Sequence, residues 1–107
     1  MQTAQASEFI PAHRAAIESV CLQLSGQYGL TFIAEYGQTE CGQFHDAALC
    51  VDEDGACGSP LVSLITGPGI AGDGFAVMGA DGSSLADRAT FTKALRVAQT
   101  VARRMAS

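Results

Sequence analysis

The stretch from Leu30 to Gly79, LTFIAEYGQTECGQFHDAALCVDEDGACGSPLVSLITGPGIAGDGFAVMG, decides the fold. It alternates short runs of β-branched, aliphatic and aromatic residues with clusters rich in glycine and acids, the signature of short strands punctuated by turns. Strands are expected over Leu30–Tyr36, from about Phe44 to Asp52, over Leu61–Thr66 and over Phe75–Gly79. Glu53-Asp54-Gly55 and Ala80-Asp81-Gly82 read as tight turns, and Gly37–Gln43 and Gly67–Gly74 as glycine-bearing loops. No interval between strands holds a helix, so parallel crossovers are excluded and the strands must run as an antiparallel meander.

Period-two alternation assigns faces. Leu30, Phe32, Ala34 and Tyr36 share one side of the first strand, and Ala47, Leu49 and Val51 one side of the second. The other side carries Ile33, Ala48 and Cys50, with one set from Val62/Leu64 and one from Ala76/Met78. A solvated sheet face is usually more polar than this. Its apolar character points to a homodimer or to a partner protein.

Working outward, Ser7–Ser25 reads as an amphipathic helix with Ile10, His13, Ile17, Val20 and Leu24 on one face, Ser7 as N-cap and Gly26 just past its end. Pro11 is acceptable only in its first turn. At the other end, Ser84-Leu85-Ala86-Asp87 fits a capping box opening a last helix. Its apolar stripe is Phe91, Leu95, Ala98, Ala102 and Met105, and Arg88, Thr92, Arg96, Gln99 and Arg103 lie opposite. The expected fold class is α+β: an antiparallel sheet of three to four strands in a meander, flanked by an N-terminal and a C-terminal amphipathic helix (α-β-β-β-β-α). Residues 1–107 make a single domain.

Hydrophobic residues make up 48% of the chain and charged residues 16%, too apolar for disorder. No run is long enough to span a membrane. Met1–Ala6 has neither a basic residue nor an apolar segment, so no secretory signal is expected and the reading is cytoplasmic. The net charge of −5 is unevenly spread. Residues 1–87 hold all 11 acidic residues and only Arg14, a net of −10, whereas Arg88, Lys93, Arg96, Arg103 and Arg104 give the remainder +5. An acidic body of this kind repels nucleic acid and favours basic partners.

Constellations that carry chemistry are weak. Gly67-Pro68-Gly69-Ile70-Ala71-Gly72 matches G-x-G-x-x-G, but the dinucleotide fingerprint needs a helix next, and here a strand is expected. Cys41, His45, Cys50 and Cys57 are conceivable zinc ligands or, as Cys41 with His45, a thiol nucleophile and its base. Their spacing fits no zinc motif, and Glu40 and Asp46 make the segment too acidic to activate a thiol. In a cytosolic protein, all four cysteines are expected as free thiols. Cys21 reads as a small core residue and His13 as a partly buried structural histidine. Asp52-Glu53-Asp54 lacks the alternating ligands of a calcium loop and reads as a solvated acidic turn.

In size, acidity and helix–meander–helix order the chain resembles two groups. One is the small inhibitors of bacteriophages and mobile elements, including anti-CRISPR proteins, which block nucleic-acid sites with acidic surface. The other is the small acidic dimeric chaperones of type III secretion. The first resemblance implies a non-enzymatic protein that occludes a basic, nucleic-acid-binding surface of a partner. The second implies a homodimer through the apolar sheet face, and a zinc or thiol protein is the remaining alternative. The binding residues expected are Glu35, Glu40, Asp46, Asp52, Glu53 and Asp54. No catalytic residue, metal or cofactor, no direct nucleic-acid contact and no membrane contact is expected.

Overall fold

The computed structural model describes residues 9–38, 44–53, 56–57, 60–67 and 74–106, with Glu53, Ala56 and Cys57 described by their backbone alone. The order is α1 (Pro11–Tyr28), β1 (Phe32–Gln38), β2 (His45–Glu53), β3 (Ala56–Cys57), β4 (Val62–Thr66), β5 (Phe75–Gly79), β6 (Ser84–Ala89) and α2 (Phe91–Ala106). β1, β2, β4, β5 and β6 form an antiparallel meander in that spatial order, and the two-residue β3 pairs with β2. The fold is therefore α+β with a helix at each end, and the meander has five strands rather than three to four.

The extra strand is Ser84–Ala89, which the sequence reading assigned to the cap and first turn of the last helix. Its Ser-x-x-Asp pattern and small residues suit a helix start, but pairing with β5 wins: Met78 opposes Ser84, Val77 opposes Ala86 and Phe75 opposes Ala89. The register shifts between Phe75 and Val77 and again between Val77 and Met78, and Arg88 in this segment has φ 52°, the local kink of a bulge. Thr90 is the true N-cap of α2. Its Oγ1 accepts from the Lys93 amide at 3.2 Å, and its carbonyl accepts from the Ala94 amide at 2.9 Å.

The first helix starts later and ends later than expected. Pro11 stands at its first position, Gly26 lies inside it, and Gly29, with φ 71°, ends it. The expected cap Ser7 lies outside the described residues. Ser25 ties the helix to the sheet, since its hydroxyl donates to the Cys21 carbonyl at 2.8 Å and accepts from the Phe32 amide at 2.9 Å. Leu30 precedes β1 and is exposed, so it does not join the core-facing row.

Both helices lie on one face of the sheet. α1 rests on β1, α2 on β4, β5 and β6, and the helices touch each other. The core between the layers contains Ile17, Val20 and Leu24 from α1, and Phe32, Ala47, Leu49, Val62, Leu64, Phe75 and Val77 from the strands. From α2, the fully buried row is Ala94, Ala98 and Ala102, spaced four residues apart. Phe91 and Leu95 are only half-buried beside this row, and Met105 is exposed. The expected stripe was centred too far round the helix, because the residues that fit closest to a sheet are small rather than large. No helix among the described residues is long and apolar enough to cross a membrane.

Ala98→Leu is expected to lower the unfolding free energy by about 1–3 kcal/mol through overpacking, and Leu49→Ala by about 2–5 kcal/mol through cavity formation. Urea denaturation measures both. An Ala98→Leu variant as stable as the parent would mean that α2 does not seat on its alanine row.

Candidate functional site

The cross-strand register defines what lies on the face away from the helices. Glu35, Ala48, Ser63 and Met78 form one row across β1, β2, β4 and β5. Gly37, Asp46, Ile65 and Ala76 form the next, and Ile33 opposes Cys50. Strand alternation puts Asp52 on this face too, two residues beyond Cys50. Ala48 and Cys50 are buried at its centre, Glu35 is exposed, and the other large side chains are half-buried.

Of the six acidic residues expected to bind, the fold brings Glu35, Asp46 and Asp52 onto this one face. Glu40 and Asp54 lie outside the described residues, and Glu53 is placed only by its backbone pairing with Ala56. Asp46 and Asp52 are six residues apart on β2, a span of about 20 Å at the usual strand rise, and Glu35 stands between them on β1. The carboxylates thus occupy the β1–β2 half, whereas Ile65, Ala76 and Met78 make the β4–β5 half apolar. Asp46 is held close to β1, since a Cβ built on Gly37 would stand 2.8 Å from its Oδ1. One oxygen of Asp52, Oδ1, is buried with no hydrogen-bond partner among the described residues.

The cations are segregated from these carboxylates. Arg14 is on α1, Arg88 is at the bulge of β6, and Lys93, Arg96, Arg103 and Arg104 are on α2. No cation sits on the helix-free face of β1, β2, β4 or β5; Arg88 is exposed on the edge strand β6. The charge asymmetry seen along the chain therefore sets the helices, which hold five of the six cations, against the carboxylates of β1 and β2.

The cysteine chemistry needs correction. Cys50 is disulfide-bonded, so the expectation of four free thiols fails there. Cys21 is a free, buried thiol, and burial with the nearby Glu18 pushes it up to about 11. It is protonated at neutral pH and a poor nucleophile. His45 and Cys50 are five residues apart on β2 and so point to opposite faces, which prevents them from sharing one metal ion. Among the described residues, no three His, Cys, Asp or Glu side chains converge. Cys41 lies outside the described residues. The G-x-G-x-x-G segment also lies largely outside them, but it leads into strand β5, so the helix that a dinucleotide phosphate requires does not follow.

On the helix side, the start of α1 meets the sheet through an aromatic cluster that sequence reasoning missed. His13 stacks on Phe91 with ring centroids 4.2 Å apart and meets Phe75 edge-on at 5.2 Å. Phe9 adds contacts to Phe75 at 5.6 Å and Tyr36 at 6.3 Å. Arg14 covers the Tyr36 ring at 4.4 Å, a cation–π contact, beside a polar cavity of about 400 Å³ that also touches His45. Burial, with Glu18 adding to it, raises the Tyr36 hydroxyl to about 12, and that hydroxyl has no hydrogen-bond partner among the described residues. These residues come from four separate elements, so no local spacing announces the cluster.

Compared with protein-family models, curated proteins and solved structures, the chain shows no significant match.

Burial lowers the pKa of His13 below its ordinary value. The folded state therefore resists a proton that the unfolded chain accepts near pH 6.5. Stability is expected to hold above that pH and to fall as pH drops through it, and the His13→Phe variant should lose this slope. Urea unfolding between pH 7.5 and 5.5 tests it, and parallel slopes in parent and variant would assign the dependence elsewhere. Thiol alkylation of the denatured, unreduced protein should label two of the four cysteines, because Cys50 and its partner are protected. Labelling of all four would remove the disulfide.

Proposed function

We propose that this protein is a non-enzymatic binding module that docks through its helix-free sheet face onto a basic surface of a partner protein. The observation that supports this reading is the shared placement of Glu35, Asp46 and Asp52 with Ile33, Ile65 and Met78 on one face, with no cation on that face of β1, β2, β4 or β5. Apolar area supplies affinity and carboxylates supply steering and selectivity towards a cationic groove. Occlusion of a nucleic-acid-binding surface is the expected consequence, as in the small inhibitors of phages and mobile elements that the chain resembles in size and acidity. The same carboxylates disfavour nucleic acid itself.

Charge also weighs against the homodimer reading. A two-fold dimer through this face would bring the same patch of both copies together. Its acidic halves would then meet each other or cover the apolar halves, and neither arrangement pairs a carboxylate with a cation. Such a dimer therefore lacks the charge complementarity that a basic partner supplies. Disulfides persist mainly in oxidising compartments. The Cys50 disulfide thus favours a setting outside the reducing cytoplasm over the cytoplasmic one read from the sequence.

Ile65→Lys places a cation in the middle of the face, at a half-buried position that tolerates a long side chain with its head in solvent. Proteins captured from lysate by the parent, identified by mass spectrometry and purified, are expected to lose binding by at least tenfold to Ile65→Lys. They should associate several-fold more slowly with Glu35→Gln/Asp46→Asn, and the effect should shrink as salt is raised. Arg96→Glu, on the opposite layer, should bind as the parent does. Unchanged association for both face variants would remove this face as the interface.

A further inference from the structure

We propose that the polar cavity between the first turn of α1 and the Gln38–His45 end of the β1–β2 pair binds a small hydroxycarboxylate. The cavity lies on the helix side of the sheet, so the proposal goes beyond the sheet-face reading and does not depend on it. Its volume is about 400 Å³, within the range of small-ligand sites. Arg14, Tyr36, Gly37, Gln38 and His45 line it. Register explains the grouping. Gln38 opposes His45, and Tyr36 opposes Ala47, which is in the core, so Tyr36, Gln38 and His45 share the helix side.

Arg14 is held in a way that suits a carboxylate. Its Nε donates to the Phe9 carbonyl at 3.4 Å, and its guanidinium carbon stands 4.4 Å from the centre of the Tyr36 ring. These contacts orient the planar group and use only Nε. Arg14 forms no ion pair and no other side-chain hydrogen bond among the described residues. Its two terminal nitrogens therefore remain for a forked bond to both oxygens of a carboxylate. The His45 ring likewise makes no hydrogen bond among the described residues. A neutral imidazole donates at one nitrogen and accepts at the other, which suits a hydroxyl on the same ligand.

Charge sets the size of the anion. Arg14 is the only cation of residues 1–87, whose net charge is −10. That field repels a polyanion, whereas a single carboxylate is matched by one guanidinium. No acidic side chain lines the cavity among the described residues. Glu18, one turn beyond Arg14 on α1, acts on Tyr36 but neither pairs with Arg14 nor belongs to the lining. Asp46, next to His45 along β2, alternates onto the helix-free face.

Saturation-transfer NMR on the full chain tests the site with lactate, 3-hydroxybutyrate, mandelate and 4-hydroxyphenylacetate at millimolar concentration, each beside its uncharged carboxamide. At least one carboxylate is expected to bind saturably, and its carboxamide at least tenfold more weakly. Arg14→Gln, which alters an exposed position, should bind that carboxylate at least tenfold more weakly than the parent. Arg14→Lys should bind it several-fold more weakly, because an ammonium cannot fork across both oxygens. His45→Phe should also lose several-fold, and Ile65→Lys should bind normally, which separates this site from the sheet face. The proposal is overturned if none of the four carboxylates binds, or if carboxylate and carboxamide bind alike. It is equally overturned if Arg14→Gln or His45→Phe binds as the parent does, or if inorganic phosphate displaces the carboxylate at equal concentration.

Discussion

Helix α2 rests on β4, β5 and β6 through Ala94, Ala98 and Ala102, and the shortness of those three side chains sets the geometry of the whole helix layer. A methyl group lets the helix backbone come close to the strands. The larger residues Phe91, Leu95, Val97 and Val101 then have to lie along its flanks, where they seal the layer against solvent and against α1. The cations are left on the outer side. With α2 seated this way, α1 fits beside it over β1 on the same face, and Gln99 Nε2 donates to Gln23 Oε1 across the two helices at 3.3 Å.

Two helices side by side on one face leave the other face without a helix among the described residues. A five-stranded sheet can bury one side and keep the other for a different purpose, and here the two sides differ in charge as well as in cover. Carboxylates stand on the β1–β2 half of the helix-free face, and five of the six cations belong to the helices. Separation of this kind costs little stability, because ion pairs at a surface contribute little. It sets the helix cations apart from a sheet face on which Ile65 and Met78 accompany the carboxylates.

Two corrections to the sequence reading have a common origin in competition between local and tertiary preferences. Ser84–Ala89 has a helix-start pattern, yet an unpaired β5 would leave a row of backbone groups without partners, and pairing with it outweighs a weak local propensity. The helix then begins at the next available cap, Thr90. Cys50 was judged from spacing and an assumed compartment. Whether two sulfurs meet depends on register and chain reversal, which spacing along the chain does not report.

Sequence alone determined the helix–meander–helix order, because hydrophobic periods of two and of about 3.6 are local properties, and because the turn signals between strands leave no room for crossovers. It also marked Phe32, Ala47, Leu49, Ile17 and Leu24 as core and Lys93, Arg96, Arg103 and Arg104 as a helical cluster of cations, though Arg88, read with them, belongs to β6. Tertiary structure alone decided which side of the sheet both helices would take, and so that Glu35, Asp46 and Asp52 share a surface that no helix covers. It also brought Leu61 before β4, Leu85 of β6, and Val101 and Met105 of α2 together beside Gly79. Such juxtapositions depend on register between strands and on the depth at which a helix seats. Both are set by long-range packing, which no local pattern encodes.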